Sequence, residues 1–168
     1  MLIIHPFDVT TDFLQSVYQG LDCEIIRANV GKGKIRAAIR RHEKIVFLGH
    51  GCELGLFGFG RLFIDSSFVQ FLRGKECVYV WCNAHVFVEK YGLSGFYTGM
   101  IISELQEAIM CCVPFESGDE VRESNKEFAD ALRLGIEKPA ETMKKLFFQE
   151  YLVKSHIGDF NRTNIFIR

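Results

Sequence analysis

Two short segments place reactive side chains directly after apolar runs: Phe47-Leu48-Gly49-His50-Gly51 and Tyr79-Val80-Trp81-Cys82-Asn83. A thiol with an imidazole nearby is a nucleophile with a proton-transfer partner, because the thiolate attacks and the imidazole carries the proton. The glycines flanking His50 allow a tight turn and close backbone approach by a substrate. The same region offers a second chemistry. His50-Gly51-Cys52 and Cys82-Asn83-Ala84-His85 supply two soft-ligand pairs, so His50, Cys52, Cys82 and His85 could complete a four-ligand zinc site. Each residue also has a plainer reading, His50 as a turn residue and Cys82 as an inert core thiol.

The elements that must position these side chains are read from the pattern around them. Residues 44–48 and 77–81 are continuously apolar rather than alternating, which suggests strands buried on both faces of a sheet. In open parallel sheets ligands bind outside the carboxyl ends of the strands, so neighbouring strands would aim His50 and Cys82 into one crevice. Residues 2–4 and 23–30 read as earlier strands. Residues 11–21 read as a helix capped by Thr10 or Thr11, and residues 34–42 as a short basic helix. Residues 53–65 read as a Gly-studded hairpin, and Asp65-Ser66-Ser67 caps a helix through about residue 73. Further helices are expected at 85–91 and 101–112, with a fifth strand at 94–100 between them. Beyond Pro114 the chain turns helical and charged, with helices from 116 to 138 and from Pro139, and a last short strand at 165–168. The alternation predicts one α/β domain over 1–168 with a mainly parallel sheet. Its core lies in about 1–112, and a helical C-terminal segment of about 119–154 packs on it.

Composition narrows the partners. The 168 residues are 48% hydrophobic and 24% charged, which excludes a disordered chain. Twenty basic and 21 acidic residues leave a formal charge of −1, which gives no electrostatic case for nucleic acid or an anionic membrane. The apolar opening of residues 1–4 is too short for a signal segment, and no run approaches the roughly 18–20 residues of a membrane span. A cytoplasmic chain with reduced thiols is therefore expected. Of the six cysteines, Cys23, Cys77, Cys111 and Cys112 read as core filler and Cys52 as a marginal ligand, while Cys82 stands out. The run Gly31-Lys32-Gly33-Lys34 lacks the spacing of a phosphate loop and reads as a strand-to-helix turn.

The strand ending His-Gly, the Gly-rich excursion with Glu53 and Gly55, the helix, Gly74-Lys75, and the strand ending in Cys82 together resemble the caspase-like (clan CD) cysteine peptidases, such as caspases, gingipains and related bacterial domains. The resemblance covers roughly residues 1–105. It implies a three-layer αβα sandwich with sheet order 2-1-3-4-5-6 and a peptidase acting on a peptide or protein without a cofactor. Cys82 would be the nucleophile and His50 the general acid/base. The backbone N–H groups of Gly51 and Cys82 would hold the oxyanion, and the region of Ser94, Gly95 and Phe96 would line the substrate groove. Glu53 and Asp65 are the charged residues positioned to face a substrate side chain. Asn83-Ala84-His85 departs from the Cys-Arg-Gly that follows the nucleophile in animal caspases. A chain holding only the minimal fold could also lean on a second copy, as a homodimer. The alternative to an enzyme is an inactive module of the same fold that binds or regulates a partner.

Overall fold

The computed structural model describes residues 1–115 and 117–168. In chain order these form β1 (Leu2–Ile4), a 3-10 helix (Val9–Val17), β2 (Glu24–Ile26), α1 (Lys32–Arg41) and β3 (Lys44–Leu48). A small antiparallel unit comes next, made of β4 (Gly51–Cys52), β5 (Gly55–Gly58) and β6 (Arg61–Ile64). A 3-10 turn (Ser66–Phe68) runs into α2 (Val69–Leu72), then β7 (Glu76–Val80), α3 (Ala84–Tyr91), β8 (Phe96–Thr98) and α4 (Leu105–Met110). Three helices, α5 (Gly118–Gly135), α6 (Ala140–Glu150) and α7 (His156–Thr163), precede the final strand β9 (Ile165–Ile167).

Six strands join in the order β2-β1-β3-β7-β8-β9. The first five are parallel and β9 is antiparallel to β8. Counting only the strands of this sheet, the order is 2-1-3-4-5-6. The fold is therefore α/β with a mixed, mostly parallel sheet. Among the described residues no helix is long and apolar enough to cross a membrane.

Strand alternation sorts the apolar side chains onto two faces. Leu2, Ile4, Ile45, Phe47, Cys77 and Tyr79 share a core with Ile35 and Ile39 of α1, Leu72 of α2, and Phe87 and Val88 of α3. Ile3, Val46, Leu48, Val78, Val80 and Phe96 share the other core with Leu14 and Val17 of the 3-10 helix, Phe128 and Leu132 of α5, and Met143 and Phe147 of α6. Burial on both faces is why β3 and β7 are apolar at nearly every position. Each fully buried Phe, Leu or Ile contributes about 1.5–3 kcal/mol. Close approach of α5 to α6 depends on Gly135, where a Cβ would lie 2.8 Å from Met143 Cγ and 2.9 Å from its Cα.

Two departures from the sequence expectation matter for the site. Residues 99–104 form neither helix nor strand, and only Leu105–Met110 of the expected 101–112 helix forms. The reason is a side chain from a distant element. Asn161, on α7, accepts a hydrogen bond from the Ile102 N–H (2.8 Å) and donates one to the Ile102 carbonyl (3.0 Å). Those two bonds satisfy a buried non-helical backbone. The second departure is α7 itself, which the sequence pattern did not mark as a helix. The expected start of the charged helix at Glu116 lies outside the described residues, and α5 begins at Gly118.

Candidate active site

His50 lies two residues beyond β3. Gly49 makes the turn at φ +140°, a conformation that L side chains rarely adopt. Its N–H donates to the Val80 carbonyl (3.1 Å), which ties the ends of β3 and β7 together. Gly51 has no room for a side chain, since a Cβ would lie 2.3 Å from Trp81 Cδ1 and 2.6 Å from the Gly55 carbonyl oxygen. The Trp81 indole N–H donates to the Cys52 carbonyl (3.0 Å), so the His50 turn rests directly on the residue before Cys82.

Cys82 sits on a sharp strand-to-helix turn. Asn83 adopts the left-handed conformation (φ +65°), and its N–H donates to the Gly99 carbonyl (2.9 Å). The buried Thr98 hydroxyl donates to the Trp81 carbonyl (2.8 Å) and accepts from the Trp81 N–H (3.2 Å). The Ala84 N–H bonds back to the Trp81 carbonyl as α3 begins. The Cys82 N–H has no acceptor among the described residues.

The two residues stand at the carboxyl ends of adjacent parallel strands and line one narrow cleft, together with Thr11, Phe13, Leu14, Trp81, Ile101, Ser103 and Phe128. A second hollow of about 360 Å³ opens beside His50 against Pro6, Phe7, Asp8, Phe57, Gly58 and Phe59. No hydrogen bond joins His50 to Cys82; each is engaged elsewhere. His50 Nε2 lies 2.6 Å from Thr10 Oγ1 and 3.3 Å from Glu104 Oε1. The Cys82 thiol donates to the Ile101 carbonyl (3.5 Å) and lies 3.8 Å from Glu107 Oε1. Burial, with the Glu107 carboxylate adding its charge, pushes this thiol up to about 12.

Several expected site residues lie elsewhere. Ser94, Gly95 and Phe96 belong to the start of β8, and Phe96 is fully buried opposite Val78. Because β7 and β8 are parallel, the start of β8 lies at the opposite end of the sheet from Cys82. The cleft is lined instead by the segment after β8, at Ile101 and Ser103. Asp65 caps the Ser66–Phe68 turn and pairs with Lys32. Glu53 is exposed in the β4–β5 turn, and neither carboxylate lines the cleft. The zinc alternative is not assembled either. Among the described residues no three His, Cys, Asp or Glu side chains converge as a metal site. His85 turns its ring toward Phe166 at 5.6 Å, and the Cys52 thiol accepts from the Leu54 N–H.

Four residues of the site escaped the sequence reading: Asp8, Thr10, Glu104 and Glu107. Thr10 was expected only as a helix cap, a role that Asp8 takes. Glu104 and Glu107 have the three-residue spacing of a capping box, and both reciprocal bonds form at the start of α4. That spacing could have placed the helix start at 105 and left 99–104 to cross the cleft. No protein-family model and no curated protein sequence matches the chain.

Proposed function

We propose that the chain is a cysteine peptidase of the caspase-like, three-layer αβα fold, with Cys82 as nucleophile and His50 as general acid/base. The observation that carries this reading is that His50 and Cys82 stand at the carboxyl ends of adjacent parallel strands and line one cleft. The sheet order and the antiparallel final strand agree with it.

The Cys82 proton passes to the imidazole as sulfur bonds to the carbonyl carbon of a peptide. The carbonyl oxygen becomes an oxyanion, within reach of the free Cys82 N–H and the Gly51 backbone. Such a donor is worth about 3–4 kcal/mol in comparable sites. The C–N bond then breaks, the imidazolium returns its proton to the departing amine, and a thioester remains. Water attacks the thioester, giving its proton to His50, and the released sulfur regains a proton.

The resting thiol is suppressed. Its desolvation and the nearby Glu107 oppose ionisation, and the 99–110 segment occupies both reactive groups. Turnover in this reading requires a substrate to displace Ile101 and Glu107 from the sulfur. The same suppression favours a second reading, an inactive module of this fold that uses the cleft to hold a peptide. Digestion of a proteome-derived peptide mixture, with new termini read by mass spectrometry, separates the two. The enzyme produces new termini that the Cys82→Ala chain does not; the module produces none with either.

A further inference from the structure

The start of the 3-10 helix after β1, Asp8 as its cap and Thr10 in its first turn, reaches His50 from a third strand end. Asp8 Oδ1 accepts from the Thr10 N–H (2.9 Å) and from the Thr10 hydroxyl (2.7 Å), and Thr10 Oγ1 lies 2.6 Å from His50 Nε2. A hydroxyl has one proton. An ionised carboxylate can only accept, so that proton belongs to the Thr10–Asp8 bond. The Asp8 carboxyl is held below its usual range by these same Thr10 bonds, which keeps it ionised. The remaining contact must therefore be donated by His50 Nε2–H into Thr10 Oγ1. Glu104 Oε1, at 3.3 Å, is a second acceptor facing the same nitrogen. Neutral imidazole carries one N–H, so Nδ1 is left with its lone pair, and it has no partner among the described residues.

We propose that Asp8 and Thr10 are positioning residues that hold His50 as its Nε2–H tautomer and so assign proton transfer to Nδ1. The inference rests on the peptidase reading for its catalytic meaning, though the tautomer itself does not depend on it. Adjacent strands β1, β3 and β7 then each deliver one component from their carboxyl ends: an orienting hydroxyl, an imidazole and a thiol. A third group that fixes tautomer and ring orientation has large effects in other nucleophile–imidazole sites, where the wrong tautomer alone nearly abolishes turnover. Glu104 is the weaker contact by distance, and it sits on the segment that also covers Cys82.

The test is long-range ¹H–¹⁵N correlation of the ¹⁵N-labelled chain in alkaline buffer, with the His50 signals assigned by their loss in His50→Gln. The wild type should show the Nε2–H pattern. Thr10→Val should lose it toward a mixture, Thr10→Ser should restore it, and Glu104→Ala should leave it in place. Alongside, Thr10→Val should lower kcat for peptide hydrolysis about 10-fold with KM little changed, and Thr10→Ser should recover it. An Nδ1–H pattern in the wild type overturns the proposal. So does a Thr10→Val spectrum like the wild type, or a shift seen in Glu104→Ala alone. If the Nε2–H pattern behaves as expected but no peptide is cleaved, the positioning stands and the peptidase reading falls.

Discussion

The two halves of the cleft are built in opposite ways. The His50 half is polar and half-open: its ring is held by a hydroxyl backed by a carboxylate, on a turn fixed by Gly49 and Gly51. The Cys82 half is lined mostly by apolar side chains, and its thiol is pushed up to about 12 by burial and by Glu107. One half holds an imidazole between polar partners, while the other holds a thiol back from ionising. The difference teaches that alignment and activation are separate in this fold. In the peptidase reading, strand order aligns the pair, whereas the 99–110 segment, which holds the thiol through the Ile101 carbonyl and Glu107, sets whether the sulfur can react.

The largest expected effect breaks the aligned half outright. His50→Ala should lower peptide turnover by about 10²–10⁴-fold, the usual contribution of a positioned acid/base, while thermal melting shows the fold retained. Gly51→Ala attacks the contact between the halves. Its Cβ would meet Trp81 and the Gly55 backbone, so a loss of about 3 kcal/mol is expected in chemical denaturation. Acid should loosen the polar half through His5, which is fully buried beside Tyr18 and Thr11. Burial, with the Arg27 charge, lowers His5 to about 4, against opposing contributions from Asp12 and Asp8. The unfolded chain binds this proton more tightly, so stability falls as pH drops through 6.5 toward 4. Denaturation at pH 7 and pH 5 should differ by about 2 kcal/mol from this group, and His5→Gln should reduce the difference. The smallest effect sharpens the suppressed half. Glu107→Gln keeps an acceptor for the Ser103 and Glu104 N–H groups but removes the charge facing the sulfur. Alkylation of Cys82 by iodoacetamide should quicken about 10-fold; an unchanged rate would assign the suppression to burial alone.

The aligned half was largely readable from the sequence. Continuous apolar runs followed by Gly-His-Gly and by Cys-Asn mark strands and their ends locally, and β1 and β3 fall where the pattern puts them. The suppressing half was not. Residues 101–104 look helical in isolation because Ile101, Ile102 and Leu105 have helical spacing. The non-helical path depends on Asn161, 59 residues away, which takes both backbone groups of Ile102. Ser94, Gly95 and Phe96 lie away from the cleft for a related reason: residues of a fifth strand face the groove only beyond its carboxyl end, and β8 ends at Thr98. The contact of Thr10 with His50 spans 40 residues and leaves no mark on local spacing.

The central claim is that His50 and Cys82 act as one unit across the cleft. Intact-mass analysis after treatment with a peptidyl acyloxymethyl ketone tests it most directly, using the exposed Cys112 thiol as the internal comparison. A single adduct on the wild type, lost in Cys82→Ala and strongly slowed in His50→Ala, is the predicted result. Labelling of Cys82 no faster than Cys112, or labelling indifferent to His50, would contradict it.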